Sequence, residues 1–199
     1  MRKHLLLLAT ALLLALQAAS AAGAASRATA SVFLTGDSLS VGTSYYLPQI
    51  LGRGRVATDA RVGRPLAEGL AVIRAQGQRL PAVVVVSLGT NDDPRATGAF
   101  QSGIREVVRL AGPRRCVAWA TVSRPAVAGT DYAGFNRLLA AEARHNRRFQ
   151  IVDWAGLVSR QPALLAPDRV HGRNGSAYLE RAKLTAAAVR RCSSALQAV

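Results

Sequence analysis

Near the middle of the chain Ala82 leads into Val83-Val84-Val85-Val86, four β-branched residues with no polar residue between them. A strand with one face in water alternates apolar and polar side chains. An unbroken run is a strand covered on both faces, the situation of a parallel sheet with helices on each side. Further β-rich runs lie at Ser31–Leu34, Arg55–Asp59, Cys116–Val122 and Phe149–Val152, and the central one extends over Ala82–Leu88. Segments of helical period separate or follow them at Val41–Leu51, Pro65–Gln78, Thr97–Ala111, Asp131–Asn146 and Gly175–Ala195. Pro65 suits a first helical turn, where its missing N–H costs nothing, and Thr130 or Asp131 can cap the helix that follows. Strands alternating with helices predict an α/β fold, a three-layer α/β/α sandwich around five parallel strands.

The first residues do not belong to that pattern. Arg2, Lys3 and His4 precede an apolar run from Leu5 to Leu16, and small residues follow from Ala18 to Ala25. This is the layout of a secretory signal peptide, expected over residues 1–24, with one domain over 25–199. The alternative, an uncleaved anchor, meets an apolar run interrupted at Gln17 and shorter than the ~20 residues a bilayer span needs. Export to the cell surface, the periplasm or the medium is therefore expected. Cys116 and Cys192 would then meet conditions in which a disulfide persists, and a reduced buried pair is the alternative.

The formal charge of +15 falls to +13 without Arg2 and Lys3. The basic residues are nearly all arginine and are dispersed from Arg27 to Arg191, with no compact stripe, zinc-ligand spacing or aromatic RNA-binding motif among them. Such dispersion describes a solvated surface, and no nucleic-acid partner is expected.

In a doubly wound sheet the strand-to-helix loops gather at the carboxyl edge, where such folds bind ligands. Ser38 follows the first strand in Gly36-Asp37-Ser38-Leu39, where a helix begins. Gly63 follows the second in Arg61-Val62-Gly63-Arg64-Pro65, its backbone N–H free to meet a substrate oxygen. Asn91 follows the third in Gly89-Thr90-Asn91-Asp92, and its side-chain amide can donate where Asp92 cannot. The loop before the last helix carries Pro167-Asp168-Arg169-Val170-His171. A serine hydroxyl needs a base to take its proton, and imidazole is the usual one. Of three histidines, His4 leaves with the leader and His145 lies in the basic helix end Arg144-His145-Asn146-Arg147-Arg148, away from the reactive edge. His171 remains, with Asp168 three residues before it to orient the imidazole.

These residues resemble the four sequence blocks of the SGNH (GDSL-type) hydrolases. Gly36-Asp37-Ser38-Leu39 is similar to the nucleophile block, Gly63 to the glycine block, Gly89-Thr90-Asn91-Asp92 to the asparagine block, and Asp168 to His171 to the aspartate-x-x-histidine block, in family order across the mature chain. The resemblance implies a flavodoxin-like sheet of order 2-1-3-4-5 and hydrolysis of esters or thioesters without metal or organic cofactor. It implies a catalytic trio of Ser38, Asp168 and His171, with Ser38, Gly63 and Asn91 forming the oxyanion hole. Gly172 stands where relatives often carry proline, which predicts a looser histidine loop.

In that architecture Cys116 opens the fourth strand and Cys192 lies near the end of an antiparallel last helix, both at the edge opposite the reactive loops, which favours a Cys116–Cys192 bridge. Asp37 reads as a structural acceptor, Asp92 and Asp93 as loop or capping residues rather than a metal pair, and Asp153 and Trp154 as packing anchors. Ser40, Ser44 and Ser87 read as capping, surface or sheet positions. Pro94–Gly98 and Ser123–Gly129 are expected to line the cleft, with Arg64 and Arg124 placed either toward an anionic substrate or on the plain surface. The leading expectation is a secreted, monomeric esterase that cleaves short-chain or O-acetyl esters of a small molecule, polysaccharide or lipid through an acyl-enzyme on Ser38, without stable membrane insertion once the leader is cleaved. Acyl transfer by the same residues is the second reading, and a non-catalytic surface-binding protein the third.

Overall fold

The computed structural model describes residues 31–198, so the leader expected at 1–24 lies outside the described residues. Five parallel strands, β1 (Val32–Gly36), β2 (Val56–Ala60), β3 (Val83–Ser87), β4 (Cys116–Ala120) and β5 (Phe149–Val152), form one sheet of order β2-β1-β3-β4-β5. This is the expected order. Six helices accompany them: α1 (Ser38–Leu51), α2 (Leu66–Gln76), α3 (Thr97–Ala111), α4 (Ala133–His145), α5 (Trp154–Arg160) and α6 (Gly175–Gln197).

The strand period of two divides the core into two layers. Phe33, Val84, Val86, Val117, Trp119 and Phe149 face one way, onto Leu70 and Ile73 of α2, Phe100 and Ile104 of α3, and Phe135 and Leu139 of α4. Val32, Leu34, Val83, Val85, Cys116, Ala118 and Val152 face the other way, onto Leu47 and Leu51 of α1 and Ala182, Ala186 and Val189 of α6. The valine run is buried along its whole length because both layers claim it. Edge strand β2 carries exposed Ala57 and Thr58, as a strand with one neighbour should.

Cys116 and Cys192 form a disulfide, with Cα atoms 5.5 Å apart and a sequence separation of 76. It ties the far end of α6 to the start of β4, at the edge opposite the strand-to-helix loops. Several features depart from the sequence reading, among them Pro65, which stands at the N-cap of α2 and not inside its first turn. Helix α1 begins at Ser38 rather than Val41, because the Asp37 carboxylate caps it. Tyr132, not Thr130 or Asp131, occupies the cap of α4, although Asp131 Oδ1 accepts from Ala133 N at 3.0 Å. The short helix α5 was not expected; Asp153 caps it through Gly156 N at 3.0 Å, and Trp154 is buried against Leu39 and Val158.

Candidate active site

The turn after β1 is built around two requirements. A Cβ at Gly36 would collide with the Ser87 carbonyl and the Ser40 hydroxyl, so only glycine lets β1 end this close to β3. Asp37 then turns the chain into α1: its Oδ1 accepts from Leu39 N at 3.0 Å and its carbonyl from Ser40 N and Val41 N at 3.0 and 3.1 Å. Ser38 becomes the first helical residue. There the unpaired N–H groups and the helix dipole favour negative charge.

From the opposite end of the chain comes the loop before α6. Ser38 Oγ lies 2.8 Å from His171 Nε2, and His171 Nδ1 lies 2.7 Å from Asp168 Oδ2. The other carboxylate oxygen, Oδ1, accepts from Val170 N at 2.9 Å and His171 N at 3.0 Å. These contacts, the His171 side-chain bond first, hold the Asp168 carboxyl down at about 2. An ionised Asp168 requires Nδ1–H as donor, which leaves the Nε2 lone pair for the serine hydroxyl. The loop itself is pinned: Arg169 N donates to Ala166 O at 2.9 Å, Ala166 N to His171 O at 2.9 Å, and Arg173 N to Leu164 O at 2.8 Å. A Leu165–Gly172 antiparallel bridge closes it at the glycine expected to loosen the loop.

Three donors were expected around Ser38. Gly63 has φ +74°, which L side chains adopt only with strain, and a Cβ there would meet nothing within 4 Å; conformation, not crowding, calls for glycine. Asn91 reaches the same loop, its Nδ2 donating to Arg64 O at 3.3 Å, which leaves the second amide hydrogen available. Ser38, Asn91, Asp168 and His171 line one cleft of about 390 Å³ together with Arg124, Val127 and Val170. Residues 125 and 126 complete that wall, whereas Pro94–Gly98 contribute nothing to it, contrary to expectation.

The neighbouring acids and arginines have other tasks. Asp92 caps α2 from the next loop, both carboxylate oxygens lying 3.0 Å from Leu66 N. Asp93 pairs with Arg95, whose side chain holds the carboxyl at about 2. Arg64 neither faces the cleft nor lies on the surface. It is buried, donating to Asp59 O and Asp59 Oδ1 at 2.6 Å each. Arg124 does line the cleft, anchored by Thr90 O at 2.6 Å. Ser44 bonds back to Val41 O, and Ser40 and Ser87 are buried at the sheet end.

Behind the turn that carries Ser38 is a charge that sequence reading missed. Arg181 of α6 is 2% exposed, donating to Ser87 Oγ at 2.9 Å and Thr43 Oγ1 at 3.3 Å, with its guanidinium 5.4 Å from the Trp154 ring centre. Burial lowers its pKa to about 10, with Asp37 opposing that shift. Asp37 is fully buried as well; desolvation raises its pKa and Arg181 pulls it back. The two charges thus sit under Ser38 as each other's compensation. A signal was available: position 181 falls on the helical stripe Ala177, Thr185, Ala188 and Cys192, all buried.

No family model matches this sequence, nor does any curated protein. Solved structures do resemble it. The C-terminal catalytic domain of peptidoglycan O-acetyltransferase A (OatA) of Streptococcus pneumoniae aligns with a TM-score of 0.66 at 21% identity, covering 84% of this chain and 94% of that one. A member of the lipolytic G-D-S-L family from Veillonella parvula gives 0.62 at 16% identity, over 78% and 96%. A family 3 carbohydrate esterase of Clostridium thermocellum gives 0.61 at 15%, over 83% and 97%. The chain shares the fold of GDSL-type hydrolases across nearly the whole of those domains.

Proposed function

We propose that this protein is an exported serine ester hydrolase of the SGNH type, acting on short acyl or O-acetyl esters. The observation that carries the reading is the continuous hydrogen-bonded series from Ser38 Oγ through His171 to Asp168. In the proposed reaction the Ser38 oxygen bonds to the acyl carbonyl carbon as its proton passes to His171 Nε2. Asp168 stabilises the imidazolium without taking its proton. The carbonyl oxygen, now negative, is met in this reading by the N–H groups of Ser38 and Gly63 and the Asn91 amide, donors of the kind that stabilise a developing oxyanion. Collapse breaks the bond to the alcohol, which leaves with the proton from His171. Water then repeats the sequence, releasing the acid and restoring Ser38.

The cleft of about 390 Å³ falls at the small end of ligand sites, which favours a short acyl group. Likeness to an O-acetyltransferase domain supports a second outcome from the same acyl-enzyme, in which a sugar hydroxyl replaces water. Both readings share one decisive test. A fluorophosphonate probe should label the wild-type protein and not Ser38→Ala, and aryl acetate turnover should vanish in the same variant. Labelling that persists in Ser38→Ala, or wild-type protein inert to probe and ester alike, overturns the proposal. Product analysis with an alcohol acceptor present separates hydrolysis from transfer.

A further inference from the structure

A second hollow adjoins the candidate active site. Its volume is about 530 Å³, and Arg169, Arg173, Ser123 and Ser159 line it over an apolar floor that includes Val158 and Leu165. The two hollows have no lining residue in common, but two loops contribute neighbouring positions to both. Asp168, Val170 and His171 face the cleft that holds Ser38, whereas Arg169 and Arg173 of the same loop face the second hollow; Arg124 faces the first and Ser123 the second. The loop from Asp168 to Arg173 thus has residues on both hollows, and a ligand held at Ser38 that reaches past this loop would meet Arg169 and Arg173.

The second hollow is charged in one sense only. No acidic residue lines it, and among the described residues neither arginine has a carboxylate partner. Arg173 gives only its Nε–H, to Leu165 O at 3.3 Å, leaving the fork of terminal N–H groups open. Arg169 is more unusual. Its φ is +58°, the left-handed region that glycine or asparagine enters easily and arginine does not. The hydrogen bonds around Asp168 and Ala166 hold it there. A strained residue kept in place by its surroundings, beside reacting groups and with an unpaired charge in a concave wall, is the pattern of a binding residue.

We propose that this hollow is an anion subsite, taking a carboxylate or phosphate carried by the alcohol portion of the ester. The inference rests on the hydrolase reading above and narrows it: the preferred substrates are acyl esters of acidic alcohols, such as O-acylated acidic saccharides. Two guanidinium forks facing one space suit a planar carboxylate or a phosphate, each able to accept paired N–H bonds. The serine hydroxyls add neutral donors.

The test compares acetoxyphenyl alkanoates bearing a terminal carboxylate, over a range of linker lengths, with the matching carboxamides; a phosphonate series distinguishes the two anion types. At low salt the best anionic acetate should have a kcat/KM about tenfold above its carboxamide, as expected for one charged hydrogen-bonded contact. That preference should fall toward unity in Arg169→Asn with Arg173→Gln, while the carboxamide is turned over as before. Asparagine keeps the left-handed backbone, so the histidine loop is retained. Fluorophosphonate labelling of Ser38 reports an intact site in each protein. Equal kcat/KM for anion and carboxamide in a wild type that labels and turns over overturns the subsite and leaves the hydrolase reading standing. A preference that survives in the double variant also overturns it. Absence of labelling and of turnover in the wild type overturns the hydrolase reading itself, and the subsite falls with it.

Discussion

Replacing Arg181 with methionine tests whether the buried charges under Ser38 act as a pair. Methionine fills much of the same volume, so the variant loses charge and hydrogen bonds rather than bulk. What disappears is the donation to Ser87 Oγ and Thr43 Oγ1, and the cation that offsets the Asp37 carboxylate. Arg181 and Asp37 interact through space without a direct salt bridge, so the about 3–5 kcal/mol lost when one partner of a contacting buried ion pair is removed sets the upper scale of the effect. For a domain of this size that corresponds to a fall in Tm of roughly 6–20 °C. The pH dependence makes the test specific. Desolvation already raises the Asp37 pKa, and Arg181 is the main opposing influence. Without it the folded-state pKa rises further above the unfolded value. Folding then favours the protonated acid, so the variant loses stability as pH rises from the unfolded carboxyl pKa through the folded one, and recovers it in acid. Urea unfolding of wild type and variant at pH 4.5 and 7.5 should show a gap that is smaller at the lower pH. Adding Asp37→Asn to the variant should restore part of the loss at pH 7.5, since asparagine still caps α1 and brings no charge. A gap below about 1 kcal/mol, well under the cost of orphaning a buried charge, or one equal at both pH values, would refute a charged pair.

Three further outcomes follow from the site and its frame. Asn91→Ala should lower kcat by on the order of a hundredfold or more with KM nearly unchanged, because an oxyanion donor is used most in the transition state; an effect confined to KM in steady-state kinetics refutes that role. His171→Ala should cost several orders of magnitude in turnover, while Asp168, held at about 2, stays ionised well into acid and so remains the partner of the imidazole; near-normal turnover of the variant rules out His171 as base. Replacing Cys116 and Cys192 together by serine should destabilise the protein by about 4 kcal/mol in the chain-entropy account while leaving kcat per labelled active site unchanged, because the bridge lies at the far edge of the sheet; a large fall in kcat at full labelling contradicts that separation.

Sequence pattern anticipated the framework well where burial and ladder pairing end at the same residue. Helix α3 at Thr97–Ala111 and strand β5 at Phe149–Val152 fall on their expected limits. The runs at Ala82–Leu88 and Cys116–Val122 overshoot, because Leu88 and Val122 remain buried past the last strand residue. At Val122 the backbone is paired by a side chain instead: Asn136 Oδ1 accepts its N–H at 2.8 Å and Asn136 Nδ2 donates to its carbonyl at 2.9 Å. Hydrophobicity marks what is covered, not which partner satisfies the backbone, and that difference sets the error. Arg64 was misplaced for a related reason. Its partners, the carbonyl and carboxylate of Asp59, become neighbours only when the loop after β2 folds back on its strand.

The residues that meet in the cleft were easier to anticipate than their support, and the geometry explains why. Ser38, Asn91 and the Asp168–His171 pair each belong to a loop that a parallel sheet must place at one edge, so topology alone gathers them. Arg181 is different: it lies inside a helix, 10 positions beyond His171, and is tied to the site through Ser87 of β3, Thr43 of α1 and the buried charge of Asp37. Its position depends on how α6 packs on the sheet, where Ala182, Ala186 and Ala188 are buried in the core and the disulfide ties the far end. The stability of one edge and the chemistry of the other therefore meet along this helix. A substitution that shifts α6, such as a larger residue at Ala182, should disturb Ser38 by way of Asp37 before it disturbs His171, whose loop carries its own hydrogen bonds.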